Sequence, residues 1–253
     1  MIPRVWKSAV ITASIATLLI AAPPAYAQQQ PAASNSPWSF DVGFGWDNVI
    51  SGNINSSGIG QINNQAVVIT SNSYEDVYGT GLHLRFGGGY ALTDNTEVNA
   101  TFVFQSADAD EVTAMGDIGV SNLYGHYTDY QTFGLDVGIR RYMGLSSSLR
   151  AYGEGAMGVG FVDKTDVTLV APSVNLQRDA NDFYDQTSAL ALGANFGVLF
   201  ETGGRMGFYG QMGLRWMGGM DEIDDLEGTG LDDINNSSSR WTMPFVGGVR
   251  VRF

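Results

Sequence analysis

The stretch RWTMPFVGGVRVRF, residues 240–253, alternates in character with a period of two. One set of alternate positions is apolar or glycine throughout: Trp241, Met243, Phe245, Gly247, Val249, Val251 and Phe253. The other set is mixed and carries arginines: Arg240, Thr242, Pro244, Val246, Gly248, Arg250 and Arg252. Because successive side chains of a β-strand point to opposite faces of a sheet, the stretch is predicted to be a strand with one apolar face.

Further stretches of the chain repeat this alternation. They cover residues 38–47, 78–90, 97–105, 132–140, 149–161, 189–200 and 206–216. None of their apolar faces carries a charge, and each stretch approaches the ~9–11 residues that a tilted strand needs to cross a bilayer. Together with residues 240–253 they predict an all-β fold, an eight-stranded antiparallel up-and-down transmembrane β-barrel.

The connections between these strands alternate between long and short. The long ones are 48–77, 108–130, 162–187 and 217–239, and the short ones are 91–95, 143–148 and 201–205. This rhythm is typical of a barrel with short periplasmic turns and four long extracellular loops. Two segments inside long connections, 65–71 and 166–172, have β character but are too short to span. We expect strand extensions or hairpins above the membrane, with a ten-stranded barrel as the alternative.

A soluble eight-stranded ligand-binding barrel would also alternate with a period of two. Its outer face would meet water and carry many Lys and Glu residues, whereas the apolar faces here are uncharged. Aromatic residues also gather near the predicted strand ends, as in the interfacial girdles of membrane barrels. They are Trp38, Trp46, Tyr78, Tyr90, Phe161, Trp216, Trp241 and Phe253. These features favour the membrane barrel.

The strand at 240–253 resembles the insertion strand of small bacterial outer-membrane β-barrels. The residues that carry the resemblance are Trp241, Phe245, Val249, Val251 and Phe253. The family contains the transmembrane domain of outer membrane protein A, outer-membrane protein X and the opacity proteins. The resemblance implies a Gram-negative outer-membrane location, contact with outer-membrane lipid and lipopolysaccharide, and recognition by the barrel-insertion machinery. It also implies adhesion or envelope integrity, with a host or cell-surface ligand bound through the extracellular loops.

The N-terminal region has the pattern of a secretory signal peptide. Arg4 and Lys7 form a basic start, residues 8–22 are mostly apolar, and Ala25-Tyr26-Ala27 fits a small-x-small cleavage site. We therefore expect three regions: a signal peptide at 1–27, a periplasmic lead-in at 28–37 and the barrel at 38–253. An uncleaved membrane anchor is the alternative.

Composition argues against several classes of partner. Removal of residues 1–27 changes the net charge from −13 to −15, because it takes away Arg4 and Lys7 and no acid. Nucleic acid is therefore not an expected partner. The chain has no cysteine, and no motif indicates a cofactor.

The fourth long connection is strongly acidic, and we expect a solvated, mobile loop, with weak divalent-cation binding that bridges to lipopolysaccharide as the alternative. Its acids are Asp221, Glu222, Asp224, Asp225, Glu227, Asp232 and Asp233.

Charged residues of both signs also fall on the polar faces of the predicted strands. An eight-stranded barrel is only wide enough for side chains to fill its interior, and charges there are costly unless they are paired. We predict an ionic network that plugs the lumen, with a narrow porin-like channel as the alternative. Its members are Asp41, Arg85, Glu97, Asp136, Arg140, Arg150, Glu154, Arg215 and Arg250.

The two histidines are the remaining candidates for chemistry. His83 lies mid-strand on the lumen face and is predicted to be a hydrogen-bonded structural residue. His126 lies in the second long connection, where Asp108, Asp129 or the serines at 237–239 could join it at the outer rim. A barrel enzyme acting on lipid A or peptides would need a complete nucleophile, base and orienting group. The sequence does not assemble one, so no catalytic, cofactor or metal residue is predicted and the protein is predicted not to be an enzyme.

Overall fold

The computed structural model describes residues 36–221, 229–231 and 233–253. The predicted signal peptide and most of the lead-in lie outside these residues. In chain order the strands are β1 (Trp38–Ser51), β2 (Asn53–Asn55), β3 (Gly58–Ile62), β4 (Gln65–Ile69), β5 (Asn72–Ser73), β6 (Gly81–Thr93), β7 (Thr96–Ala107), β8 (Thr113–Ile118), β9 (Ser121–Tyr127), β10 (Tyr130–Gly144), β11 (Leu149–Val162), β12 (Thr165–Ala171), β13 (Leu176–Tyr184), β14 (Thr187–Glu201), β15 (Met206–Met217) and β16 (Arg240–Arg252). A short helix α1 (Tyr74–Val77) and a 3₁₀ turn (Pro172–Val174) complete the elements. No helix among the described residues is long and apolar enough to span a membrane.

Eight of these strands form a closed barrel in the order β1-β16-β15-β14-β11-β10-β7-β6. Every neighbouring pair is antiparallel, including β1 with β16, which closes the cylinder. Closure matters in lipid because an open edge would leave backbone N–H and C=O groups without partners. The predicted eight-stranded up-and-down barrel is confirmed, and the ten-stranded alternative is wrong.

The closing seam of the barrel depends on a glycine. Gly45 on β1 pairs with Val246 on β16. A Cβ atom at Gly45 would overlap the backbone carbonyl oxygen of Phe245. Glycine is therefore required here because it lets the two backbones approach closely.

The two faces of the barrel strands differ as the alternation predicts. The outward side chains are apolar and exposed, for example Phe44 at 69%, Leu135 at 56% and Phe196 at 46%. Trp38 and Tyr90 stack edge to face at the end of the barrel that carries the short turns, with ring centroids 4.9 Å apart. An uncharged exposed band of this kind is suited to hydrocarbon and not to water.

Tyr78 is an exception to the predicted aromatic girdle. The prediction placed it on the outward face of the second strand, but β6 begins only at Gly81, and the Tyr78 side chain is 2% exposed. It packs against Tyr74 and Tyr130 at the long-loop end of the barrel. The girdle assignment of Tyr78 is therefore wrong, because tertiary packing of the loop overrides the continuation of the local pattern.

The long connections fold into a second β-structure, which we call the cap and which comprises the described residues of 52–80, 108–129, 163–186 and 218–239. Its main sheet has six strands in the order β13-β12-β9-β8-β4-β3. The β3–β4 and β12–β13 hairpins contain the two short β segments of the sequence. The prediction that these segments form hairpins above the barrel is confirmed.

The cap has its own apolar core, which continues into the long-loop end of the barrel. Fully buried members include Ile54, Ile69, Met115, Leu123, Leu169 and Tyr184. The fourth long connection contributes Leu231 and Ile234, both 0% exposed. Its backbone also pairs with the β3 side of the cap, where the Gln61 N–H donates to the Thr229 carbonyl at 2.8 Å. The expectation of a solvated loop is thus wrong for these residues, whereas the acids Glu222, Asp224, Asp225, Glu227 and Asp232 lie outside the described residues.

Candidate functional site

Glu154 on β11 is the centre of the charged residues that line the lumen. Its Oε1 atom accepts from Arg85 Nη2 at 3.2 Å and from Asn195 Nδ2 at 3.0 Å. Its Oε2 atom accepts from Arg140 Nε and from Asn99 Nδ2, both at 2.7 Å. The carboxylate is 2% exposed. Each oxygen therefore meets one cation and one amide donor, which is the satisfaction a buried charge requires.

Arg140 links Glu154 to the strands on the other side of the barrel. Its Nη1 atom donates to Asp41 Oδ2 at 2.8 Å and lies 3.4 Å from Glu97 Oε1. The same nitrogen donates to the hydroxyl of Tyr142 at 3.2 Å. The guanidinium carbon also lies 4.9 Å from the centroid of the Tyr152 ring. One guanidinium thus crosslinks several strands across the lumen.

Arg250 and Arg215 extend this network towards the two ends of the barrel. Arg250 donates to Glu97, and also to the Ser39 hydroxyl at 2.6 Å. Arg215 donates through both of its terminal nitrogens to Asp136. A bidentate contact of this kind fixes geometry as well as charge.

Arg150 differs from the predicted network in its partner. It lies nearest the short-turn end, where Nη1 is 3.6 Å from Glu201 Oε1 and Nη2 donates to the Asp94 carbonyl at 2.7 Å. The guanidinium stacks over the Tyr142 ring at 4.2 Å. The other eight predicted residues contact one another in oppositely charged pairs, but the acid beside Arg150 is Glu201, which the sequence reasoning left out.

A cavity of about 20 Å³ lies in the lumen among Arg85, Asn99, Glu154, Asn195 and Arg215. A cavity of this size holds about one water molecule.

A second buried polar cluster lies nearer the cap and was missed by the sequence reasoning. Gln105 donates to Asp47, and Arg240 Nη2 donates to Gln105 Oε1 at 3.2 Å. The Arg240 guanidinium lies 4.0 Å from the centroid of the Tyr130 ring. His83 Nδ1 lies 3.8 Å from Asp47 Oδ2 and has no hydrogen-bond partner among the described residues. His83 is buried in the lumen as expected, and its predicted hydrogen bonding is not met at Nδ1.

Buried tyrosines form hydrogen bonds between segments of the cap. The Tyr127 hydroxyl donates to Asn55 Oδ1 at 3.0 Å, and the Tyr78 hydroxyl donates to the Thr128 carbonyl at 3.1 Å. Burial raises the pKa of Tyr78 and of Tyr127 well above the ordinary range. These phenols therefore stay neutral and keep their donor protons at physiological pH.

The candidate residues for catalysis do not meet one another. His126 is exposed on β9 and makes no hydrogen bond to Asp108 or Asp129 in the described part of the chain. Asp129 instead accepts from the Ala109 N–H at 3.0 Å. Ser237 donates to the Met220 carbonyl within the cap. Among the described residues no group of three His, Asp or Glu side chains is arranged to hold a metal ion.

Comparison with known proteins gives a fold likeness and no sequence match. No family model and no curated protein matches the chain. Neisserial surface protein A has a similar structure with a TM-score of 0.50 at 10% identity, covering 86% of this chain and 98% of that one. Ail, the attachment invasion locus protein of Yersinia pestis, gives a TM-score of 0.36 at 10% identity, covering 85% and 99%. OprG from Pseudomonas aeruginosa gives 0.38 at 12% identity, covering 89% and 99%.

The fold and its surface together define the class of protein. The barrel is closed, its outward face is apolar and uncharged along the middle of the membrane-spanning strands, and Neisserial surface protein A shares its fold. A band of exposed aliphatic and aromatic side chains around a cylinder is stable only in lipid. The chain is a small eight-stranded β-barrel of the bacterial outer membrane. The cap is accordingly extracellular, and the short turns face the periplasm.

Proposed function

We propose that the protein is a structural, surface-interaction barrel that does not conduct and that acts through its extracellular cap. The single observation that carries the proposal is the cap itself. A sheet of six strands with an apolar core stands on the extracellular mouth and buries Leu231 and Ile234 of the fourth connection. Such a structure presents a defined surface for adhesion or for contact with the envelope.

Two features of the lumen support the proposal that it is plugged. The charged side chains of Arg85, Arg140, Glu154 and Arg250 span the interior, and each of them is under 5% exposed. The apolar core of the cap adjoins the barrel mouth beyond Arg240. An ion crossing the barrel would have to break paired buried charges and then enter an apolar core, and both steps are costly.

The unmutated protein is expected to show no unitary conductance in planar bilayers. The reason is the filled lumen, whose cavity among the central charges holds about one water molecule. Single-channel recording of the purified, folded protein checks this, with a porin of known conductance as the positive control in the same membrane. Steady current with reproducible unitary steps would refute the plug and support the narrow channel.

The charge of the cap suggests how it meets lipopolysaccharide. In sequence, the connections 52–80, 108–129, 163–186 and 218–239 that supply the cap carry 19 Asp and Glu against two bases, Lys164 and Arg178. The rest of the chain from residue 28 onward has nine bases and seven acids. A surface so acidic repels anionic lipopolysaccharide unless divalent cations bridge the carboxylates, since oxygen ligands suit Ca²⁺ and Mg²⁺.

Binding of lipopolysaccharide to the folded protein is therefore expected to require a divalent cation. Co-sedimentation of protein in lipid nanodiscs with lipopolysaccharide, with Mg²⁺ or with a chelator, measures the requirement. A variant that neutralises Asp224, Asp225 and Glu227 should bind less, whereas Asp94→Asn, on an exposed periplasmic turn outside the cap, is the control and should bind as the unmutated protein does. Equal binding in Mg²⁺ and in chelator would contradict the bridging role.

Two other functions remain as alternatives to test. The narrow channel is decided by the conductance measurement. An enzyme acting on lipid A or peptides would lose activity when His126 is replaced, but the exposed position of this side chain and the lack of contact with Asp108 or Asp129 do not favour catalysis. A host or cell-surface ligand of the cap is part of the proposal, and comparison of full-length protein with a variant in which the β3–β4 hairpin is shortened tests it.

A further inference from the structure

A groove of about 370 Å³ lies at the periplasmic end, over the turn that joins β14 to β15. Its walls include Ser148, Phe200, Glu201, Arg205, Met206 and Arg252. It lies at the opposite end of the barrel from the cap, and Arg250 separates it from the central charges around Glu154. The proposed surface-interaction function does not involve this groove.

The groove brings together side chains from the two sides of the barrel wall. Phe200 and Met206 point outward into the lipid zone, and each is 49% exposed. Arg250 and Arg252 belong to the inward face of β16. The groove therefore crosses the rim of the barrel, from the hydrocarbon side to the periplasmic mouth. Room is available at the turn itself, because a Cβ atom built at Gly203 or Gly204 would have no neighbour within 4 Å.

The groove carries more positive charge than its one acid, Glu201, can neutralise. Arg252 Nη1 lies 2.8 Å from Glu201 Oε1, and Arg150 Nη1 lies 3.6 Å from the same oxygen. One carboxylate thus faces two guanidiniums. Arg205 is exposed and has no acid within ion-pair distance among the described residues. Of the arginines that line the groove, Arg250 pairs with Glu97, Arg252 faces Glu201, and Arg205 adds a further positive charge, in a chain whose overall charge is strongly negative.

We propose that this groove binds the phosphate headgroup of an anionic phospholipid in the periplasmic leaflet. The phosphate lies between Arg205 and Arg252, because guanidinium forks match phosphate oxygens. An acyl chain lies along Phe200 and Met206 on the outer wall of the barrel. Glu201 does not repel the ligand, since two guanidiniums already face its charge.

A lipid fits the groove better than a soluble anion does. A free phosphate would use the arginines but would leave Phe200 and Met206 without a role. A phospholipid contacts both the arginines and the apolar residues, because its charged headgroup is joined to an acyl chain that can lie along the outer wall. The position at the leaflet boundary also supplies this ligand at high local concentration.

Spin-labelled lipids test the proposal on the folded full-length protein in phosphatidylcholine bilayers. The electron paramagnetic resonance spectrum separates lipid held at the protein from bulk lipid and gives a relative association constant. Labelled phosphatidylglycerol is expected to be preferred over labelled phosphatidylcholine by about fivefold or more, the preference that one arginine near an anionic surface confers. Arg205→Gln and Arg252→Gln should each reduce the preference by a factor of about two to five.

The control is Arg141→Gln, which removes a positive charge near the same end of the barrel, on β10, outside the groove. This variant should keep most of the preference. An equal loss in Arg141→Gln would overturn the site in favour of diffuse attraction by the rim. Equal association of both lipids with the unmutated protein would overturn the proposal, as would saturable shifts of the Gly203 and Gly204 amide resonances by inorganic phosphate without any lipid preference.

Discussion

Replacing Glu154 with alanine is expected to lower the free energy of unfolding by about 3–5 kcal/mol, the cost of leaving a buried charge without its partner. Two guanidiniums, Arg85 and Arg140, would lose the carboxylate that lies within 2.6–3.2 Å of them. The amides of Asn99 and Asn195 would lose their acceptor as well. Urea unfolding in lipid bilayers, followed by tryptophan fluorescence, measures the change.

Control variants distinguish the loss of the Glu154 charge from the loss of its side-chain volume. Glu154→Gln keeps the volume and one acceptor oxygen, so it should cost less than Glu154→Ala. Arg85→Ala should also destabilise, and the double variant Arg85→Ala with Glu154→Ala should cost less than the sum of the two, because the partners share one interaction. Ser147→Ala on an exposed periplasmic turn should change little. A loss under about 1 kcal/mol for Glu154→Ala would mean that water screens the lumen charges.

The barrel could be predicted from the sequence because its signal is local. A strand that is lipid-facing on one side and lumen-facing on the other must alternate at every step, so Leu135 and Asp136 are assigned to opposite faces by their neighbours alone. The same rule assigned Glu154 and Arg140 to the lumen. Which acid meets which arginine depends on strand stagger across the barrel, and Glu201 was missed because it lies at the last residue of β14.

The cap could not be predicted because its pairing is not local. β4 of the first connection pairs with β8 of the second, and β9 of the second pairs with β12 of the third. No periodicity within one connection specifies a partner in another. A weaker signal was present in the fourth connection, where Leu231 and Ile234 are apolar residues among acids and both proved to be core residues.

The second polar cluster is also indicated by the sequence. Asp47, Gln105 and Arg240 all stand on the polar faces of predicted strands, at their extracellular ends. Since β1, β7 and β16 lie near one another around the barrel, these ends meet in space. The side of the strand on which a residue lies does not by itself bring these three side chains together. Adding the order of the strands around the barrel and the position along each strand would have done so.

Replacing Leu135 with arginine tests the membrane assignment itself and is expected to cost about 2–4 kcal/mol, the penalty of a charge on the lipid face near the bilayer midplane. Leu135 lies in the middle of β10, between Phe102 on β7 and Val159 on β11, and its side chain is 56% exposed. On a water-facing surface the same change would stay within about 0.5 kcal/mol. The size of the loss therefore distinguishes a lipid-facing wall from a soluble barrel.

The matched control is an outward position on the same strand that lies closer to the membrane surface. Met143 is also outward on β10 and is 42% exposed, but it lies next to the periplasmic turn. Met143→Arg should cost only about 0–1 kcal/mol, because an arginine near the interface reaches water and headgroups. Leu135→Met, which conserves volume, should also cost under about 1.5 kcal/mol. Equal losses for arginine at 135 and at 143, measured by unfolding in bilayers, would contradict the placement of the mid-strand residues in hydrocarbon, since a water-facing wall has no depth dependence.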